Sequence, residues 1–175
     1  MVRTTECADS NPACAMRVDD ELAYAGMFYS RINPCPGDIN WSHIAFNGGT
    51  EDEFRNAYPL ESVLCELEKW LKDDDILLWW HESGADFFKR LCECNVVASH
   101  KMGVIHQIVQ KKLNIPGNKH GGTYELAKAM AIQTPETEHY APNDVAVLQR
   151  LLSQCCLPPS ALIDRSWLLR MGSVC

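Results

Sequence analysis

The sequence predicts an α/β fold in which helices flank a central mixed β-sheet made of an antiparallel meander and parallel strands. Three observations support this prediction. Short β-prone segments separated by turn residues occupy the amino-terminal part of the chain. A continuous apolar run at residues 76–80 has the composition of a buried central strand. Most segments after it repeat apolar residues at helical spacing, which implies helices packed around one sheet.

The amino-terminal part of the sheet is predicted from three strand candidates. Residues 1–4 are short and β-prone, and residues 13–18 and 21–33 form two strands joined at Asp19 and Asp20. A segment rich in proline and glycine follows and ends the last of them. We therefore expect this part of the chain to be mainly antiparallel.

Two helices are expected between these strands and the apolar run. Thr50 is suited to cap a short helix that begins at Glu51, because Glu53 occupies the capping-box position. Residues 60–71 carry apolar side chains at helical spacing, and the acidic turn at residues 72–75 ends that helix. A helix that connects strands of one sheet implies a right-handed crossover.

The remainder of the chain is predicted to be mostly helical. After Gly84 interrupts the pattern, helices are expected at residues 85–94, 102–113 and 123–131. A last helix starts near Pro142, because the missing N–H of proline costs nothing at a first helical position.

Length and composition predict one domain. The chain has 175 residues, and we expect a domain at residues 1–157 with residues 158–175 as a tail or docked helix of the same domain. No apolar run reaches membrane-spanning length, and the first residues lack the apolar core of a secretory signal. The nine cysteines are an odd number and include adjacent Cys155 and Cys156, which suits reduced thiols. We therefore expect a cytoplasmic protein without a membrane partner.

The charge of the chain limits how it could contact nucleic acid. A net charge of −7 argues against a protein that coats nucleic acid by electrostatic attraction. The charge is uneven, however, because residues 94–124 contain lysines and histidines but no acid. This region is either a contact for a phosphate-bearing partner or a solvated basic face.

Asp144 lies on the apolar face of the last predicted helix. It precedes Leu148 by four residues and Leu151 by seven, so its carboxylate should point toward the protein. A carboxylate in that position needs a partner, either backbone N–H groups at the helix start or a metal ion shared with other acids. His139, five residues earlier, favours the metal ion.

Two further acids follow predicted strands. Asp86 comes just after residues 76–80 at the start of a helix, which is where open α/β sheets place functional groups. The structural alternative is either a salt bridge from Asp86 to Arg90, one turn later, or a negative charge near the amino terminus of the helix. Glu6 ends the first strand candidate and precedes a turn. The chain thus presents an acid after its first strand, an acid after its buried strand and a His-x-x-x-x-Asp pair before a late helix.

This order of motifs resembles the DEDDh exonucleases of the ribonuclease H-like fold, the family that includes proofreading subunits of replicative polymerases. The third motif of that family, His-x-x-x-x-Asp, is complete as His139 and Asp144. The second motif matches the run from His81 to Asp86. The resemblance implies the ribonuclease H-like fold.

A longer passage adds to the resemblance. Residues 28–34, followed by residues 47–53, are similar to the family's passage of a strand, Asn-Pro and Gly-Ile-Thr. With this passage the resemblance covers roughly residues 1–155.

The chain departs from the family pattern in its first and second motifs. Aligning residues 6–10 with the first motif places Thr4 where the family has an aspartate that bridges two metal ions. Glu82 replaces the usual asparagine, and Ala85 replaces an aromatic residue. A neutral Thr4 removes one negative charge and one ligand, so metal affinity and rate are expected to fall. Glu82 is the candidate to supply the missing carboxylate.

The resemblance implies two-metal hydrolysis of the terminal phosphodiester at the 3′ end of single-stranded DNA or RNA. Glu6, Asp86 and Asp144 would hold two Mg²⁺ or Mn²⁺ ions, because hard oxygen ligands select these ions over zinc. His139 would be the general base that takes a proton from the attacking water.

Three hypotheses follow from the sequence. The chain is a working 3′–5′ exonuclease with a modified metal site, or a degenerate exonuclease fold that binds nucleic acid or another protein, or an unrelated α/β domain whose motif matches are chance. Trp79 and Trp80 also have two possible roles: they either stack a nucleobase or belong to the core.

Overall fold

The fold is described from a computed structural model of the protein. The structure describes residues 12–33, 42, 45, 48–93, 96–98, 100–114, 122–136 and 140–156. Within these ranges four strands and six helices alternate in the α/β manner expected from the sequence. The first strand candidate at residues 1–4 and the segment 158–175 lie outside the described residues.

The first two strands form the predicted antiparallel hairpin. Strand β1, Ala13–Val18, pairs with β2, Tyr24–Ser30. Asp19 closes the turn between them, because its Oδ1 accepts hydrogen bonds from the backbone N–H groups of Glu21 at 3.1 Å and Ala23 at 2.8 Å. The carboxylate of Asp19 therefore stabilises the turn that the sequence predicts at Asp19 and Asp20.

Helix α1, Glu51–Arg55, begins with the predicted capping box. The Thr50 side chain accepts from the backbone N–H of Glu53, and the Glu53 carboxylate accepts from the backbone N–H of Thr50 at 2.9 Å. Phe54 on this short helix is fully buried. The cap and this one buried ring therefore hold a helix that is too short to be stable alone.

The parallel part of the sheet is made by β3, Ile76–Trp79, and β4, Lys101–Val104. Helix α3, Glu82–Glu93, connects them. Two sequence predictions are wrong here, because α3 begins before Gly84 and because residues 102–104 are a strand rather than the first turn of a helix. The segment Met102-Gly103-Val104-Ile105 is too short for its periodicity to separate a buried strand from a helix.

The remaining helices agree with the periodicity of the sequence. Their bounds are α2 at Leu60–Trp70, α4 at His106–Lys112, α5 at Thr123–Ala129 and α6 at Ala141–Cys155. Helix α6 ends at Cys156, which adopts a left-handed conformation with φ of 49°.

Strand β3 separates two hydrophobic cores. Leu77 and Trp79 pack with α2 and α3, whereas Leu78 and Trp80 pack with α4, α5 and α6. Because successive side chains of a strand point to opposite faces, this division gives three layers with helices on both sides of the strands. The predicted α/β sandwich is confirmed.

Both kinds of strand pairing expected from the sequence are present. In the described part of the chain the antiparallel pair and the parallel pair are separate ladders. A salt bridge links them, since Arg17 Nη2 on β1 lies 2.8 Å from Oδ2 of Asp75, just before β3. Among the described helices, none is both long and apolar enough to cross a membrane.

Candidate functional site

Asp144 lies in the first turn of α6 and faces the protein, as the sequence predicts. Its backbone N–H donates to the carbonyl of Tyr140 at 3.1 Å, so Asp144 is inside the helix rather than at its cap. The residue is half-buried, and its Oδ1 is enclosed by the protein. Tyr140 is the N-cap and makes no side-chain capping hydrogen bond. The start of this helix thus presents a carboxylate to the interior.

The start of α6 packs against side chains of the hairpin. Cys14 on β1 pairs with Tyr29 on β2, and the negative charge of Asp144 acts on the Cys14 thiol. The rings of Tyr29 and Tyr140 are 6.0 Å apart with an interplanar angle of 60°. A Cβ added at Gly48, which has φ of +71°, would lie 3.4 Å from the Tyr140 ring. Backbone and aromatic groups therefore fix the start of α6 against the hairpin.

The thiol of Cys14 is neutral in this environment. Burial raises the pKa of Cys14 to about 11, and the charge of Asp144 adds to the rise. Burial also raises the pKa of Tyr29. The positive charge of Arg31 lowers it by less, and Tyr140 and Cys14 add smaller contributions to the rise. Cys14 and Tyr29 are therefore uncharged at neutral pH.

Asp86 lies on α3, one turn after the helix leaves β3. Its side chain is exposed. The ion pairs of the described residues include one between Lys89 and Glu93 on this helix, but not one between Asp86 and Arg90. The i,i+4 salt bridge is therefore wrong. The carboxylate of Asp86 faces solvent near the start of α3, which agrees with the alternative of an N-terminal helix charge.

Helix α6 runs alongside β1 in the same direction. Asp144 near the start of the helix acts on Cys14 near the start of the strand. Further along the helix, Gln149 Nε2 donates to the carbonyl of Leu22, beyond the end of the strand, at 2.6 Å. Asp144 therefore lies at the end of the molecule where β1 begins.

The salt bridge of Arg17 shows how β1 is oriented relative to β3. Arg17, near the end of β1, contacts Asp75, which directly precedes β3. Helices α2 and α6 contact the hairpin and also pack on β3, so we infer that the two ladders lie in one layer, in which strands run nearly parallel or antiparallel to each other. The beginning of β1, together with Asp144, is therefore directed toward the edge at which β3 and β4 end, here termed the carboxyl edge.

The contact between Lys112 and Cys155 also indicates that the first turn of α6 lies at the carboxyl edge. Helix α4 leaves the end of β4 at His106 and finishes at Lys112, toward the opposite edge. The charge of Lys112 acts on Cys155, the last residue of α6. Since α6 ends away from the carboxyl edge, the first turn of α6, which contains Asp144, lies near that edge. Asp86 follows the end of β3 and lies at the same edge.

The other predicted site residues are not described by the structure. Glu6, Thr4 and His139 lie outside the described residues, so the convergence of all four site residues stays a prediction. Among the residues that are described, no three His, Cys, Asp or Glu side chains are grouped so as to hold a metal ion. Glu82, the candidate replacement carboxylate, is exposed at the first position of α3.

The indoles of Trp79 and Trp80, at the end of the apolar run, belong to the core. Trp79 packs on Phe88 with ring centroids 5.7 Å apart, and Trp80 lies in the core on the other side of β3. Sequence reasoning missed one cluster beside Trp80, in which the rings of His81 and His106 are 4.9 Å apart. This pair could have been found from the pairing of β3 with β4. That pairing can be predicted only if residues 101–104 are recognised as a strand.

Comparisons with protein-family models and with curated proteins give no match. Comparison with solved structures finds a full-length 3′-exonuclease, with a TM-score of 0.70 and 14% identity over 86% of this chain. It also finds Exonuclease X in complex with 5′-overhanging duplex DNA, with a TM-score of 0.58 and 16% identity over 85% of each chain. This chain covers 54% of the 3′-exonuclease, about half of its length. The chain shares the fold of these two exonucleases, which confirms the ribonuclease H-like fold that the sequence predicts.

Proposed function

We propose that the chain is a 3′–5′ exonuclease-like protein that hydrolyses phosphodiester bonds at the 3′ end of single-stranded DNA or RNA. The observation that carries this proposal is the inward carboxylate of Asp144 at the carboxyl edge of a fold shared with two exonucleases. Asp86, an exposed acid at the same edge, adds to the support.

In this proposal Glu6, Asp86 and Asp144 hold two divalent cations. All three donors are carboxylates, which suits Mg²⁺ or Mn²⁺. Two such ions, when bound, would supply an activated water and stabilise the leaving oxygen. His139 takes the proton from the attacking water, because its ordinary titration range lies near neutral pH.

The proposal is tested with an oligonucleotide labelled at its 3′ end and incubated with Mn²⁺ or Mg²⁺. We expect metal-dependent loss of label from the wild-type chain and none from Asp144→Asn. His139→Ala should lower the rate by about 10²- to 10⁴-fold, the usual effect of losing a general base. Asp73→Asn is the matched control, because this exposed acid lies in the turn before β3, at the edge opposite the proposed site.

The substrate arm of the assay compares a single strand with a duplex that has a 5′ overhang. The second form is included because Exonuclease X is seen with such a duplex. Equal loss of label from wild type and Asp144→Asn would contradict the assignment of this carboxylate.

The second candidate is a degenerate exonuclease fold that binds nucleic acid or a protein without cleaving. The observation that favours it is Thr4, a neutral residue at the position of the family's bridging aspartate. Under this hypothesis the label is retained with every metal, while fluorescence anisotropy shows oligonucleotide binding that Asp144→Asn leaves unchanged. Label retention by the wild-type chain separates the two candidates. Thr4→Asp then tests the remaining ligands, since it should increase cleavage only if those ligands are in place.

A further inference from the structure

His81 and His106 occupy equivalent positions just beyond the parallel ladder. The register pairs Ile76 with Lys101 and continues to Trp79 with Val104. His81 is the second residue after β3, and His106 is the second residue after β4 and the first residue of α4. The ring centroids of these two imidazoles are 4.9 Å apart.

The indole of Trp80 supports both imidazoles. It packs edge-on against His106 with centroids 5.0 Å apart and against His81 at 6.0 Å. Trp80 itself packs in the core formed with α4, α5 and α6, and its carbonyl accepts from the backbone N–H of His106 at 3.3 Å. The position of His106 is therefore set by the sheet, whereas His81 is exposed and accessible to solutes.

The separation of the rings suits one shared metal ion. Two imidazole nitrogens that each lie about 2.0–2.1 Å from the same ion are held within about 4 Å of each other. Each nitrogen lies off the centre of its ring, so a centroid separation of 4.9 Å allows one nitrogen from each ring to fall within that limit.

We propose that His81 and His106 form a two-histidine site for a divalent transition-metal ion of the Zn²⁺, Ni²⁺ and Cu²⁺ class. Imidazole is the ligand that these ions prefer, whereas Mg²⁺ and Mn²⁺ prefer oxygen. Water completes the coordination on the exposed side of His81. The site shares no ligand with Glu6, Asp86 and Asp144, so it does not depend on the proposed nuclease function.

The experiment uses Trp80 as a reporter, because a bound Cu²⁺ or Ni²⁺ ion would lie next to its ring. The full chain is first alkylated at its accessible thiols, which include exposed Cys65 and Cys156, to remove competing soft ligands. Tryptophan fluorescence is then titrated with Cu²⁺ and with Ni²⁺ in excess Mg²⁺. We expect saturable quenching, with tighter binding of Cu²⁺ than of Ni²⁺.

Variants assign the quenching to the pair. His81→Asn should weaken binding by about tenfold or more, since losing even a supporting residue of a metal site usually costs about 10- to 100-fold. His106→Asn should weaken it similarly. Ser83→Ala is the matched control on the same exposed segment and should bind as wild type.

The outcomes separate a metal site from two imidazoles that merely pack on an indole. Unchanged affinity in His81→Asn overturns the proposal, and so does weakening by His106→Asn alone. If His106→Asn loses the far-ultraviolet circular dichroism of the folded chain, the exposed His81 decides by itself. Absence of saturable quenching in the wild type also overturns the proposal.

Discussion

The acidity of Cys14 provides a measure of the charge on Asp144. Burial is the larger cause of the raised pKa of the thiol, and the Asp144 carboxylate is the second. Any change that neutralises this carboxylate therefore alters the acidity of the Cys14 thiol, which can be followed by its rate of alkylation.

We expect Asp144→Asn to lower the pKa of Cys14 from about 11 while leaving it above the ordinary 9.0, because burial persists. Since the thiolate is the reactive form, alkylation of Cys14 should begin at a lower pH in the variant. The measurement is the rate of iodoacetamide labelling against pH, followed by mass spectrometry of the Cys14 peptide. Exposed Cys65 is the internal control, and an unchanged Cys14 profile would contradict the proximity of the two side chains.

Asp75 joins β1 to the start of β3 through its salt bridge with Arg17. Burial alone raises the pKa of Asp75, but hydrogen bonds from Arg17 and from the backbone N–H of Lys72 lower it overall. The folded state therefore binds the proton less readily than the unfolded chain. The stabilisation is complete above the ordinary pKa of 3.8 and is lost as pH falls through the lower folded value.

Asp75→Asn should accordingly lower the free energy of unfolding at pH 7 by about 1–3 kcal/mol, the usual contribution of hydrogen bonds to a charged group. Urea unfolding measured from pH 7 down to pH 3 should show the difference between variant and wild type shrinking toward the acid end. Exposed Asp74→Asn is the neighbouring control. A difference that does not depend on pH would argue against the ionised pair.

At the scale of elements, sequence periodicity predicts the strands and helices that bury one face. The hairpin, α2 and α6 agree with it because their apolar residues recur at strand or helix spacing. Strand β4 does not, because it is buried on both sides and its partner β3 is distant in the sequence. The start of α3 was missed for another reason, since Gly84 is inside this helix to make room for a tryptophan.

We expect Gly84→Ala to destabilise the fold even though alanine has the higher helix propensity. An added Cβ would lie 2.9 Å from Cε3 of Trp79, a contact that requires the ring or the helix to move. Overpacking of this kind typically costs about 1–3 kcal/mol, against about 1 kcal/mol gained from propensity. Denaturant unfolding measures the net effect, and Ser83→Ala on the exposed side is the control. A gain in stability for Gly84→Ala would show that α3 packs less closely on β3.

At the scale of the whole molecule, the two cores share one strand. Leu151 is fully buried on one side of β3, and Phe88 is 2% exposed on the other. Because β3 contributes alternate side chains to both cores, neither side should unfold while the other remains intact.

Leu151→Ala and Phe88→Ala should therefore lower the same urea midpoint without changing the slope of the transition. The expected costs are about 2–5 and 3–5 kcal/mol, typical of truncating fully buried side chains. Fluorescence and circular dichroism should report coincident transitions in both variants. Separate transitions would mean that the layers are independent folding units.

The candidate site is predictable from the sequence in its chemistry but less so in its geometry. The spacing of Asp144 from the apolar residues of α6 predicts its inward carboxylate, and Asp86 is placed by the strand before it. That both acids lie at one edge depends on contacts between distant segments, such as those of Gln149 with Leu22 and Lys112 with Cys155. Such packing leaves no local pattern in the sequence.

Alternate side chains of β3 pack in different cores, and this limits where chains of this fold can differ in length. Deleting a single residue between Ile76 and Trp80 would exchange the sides to which the two indoles project and would move α3, with Asp86, relative to its neighbours. The exposed turn at Asp73 and Asp74 has no such constraint. Gaps in related sequences are therefore expected at that turn and not inside the strand.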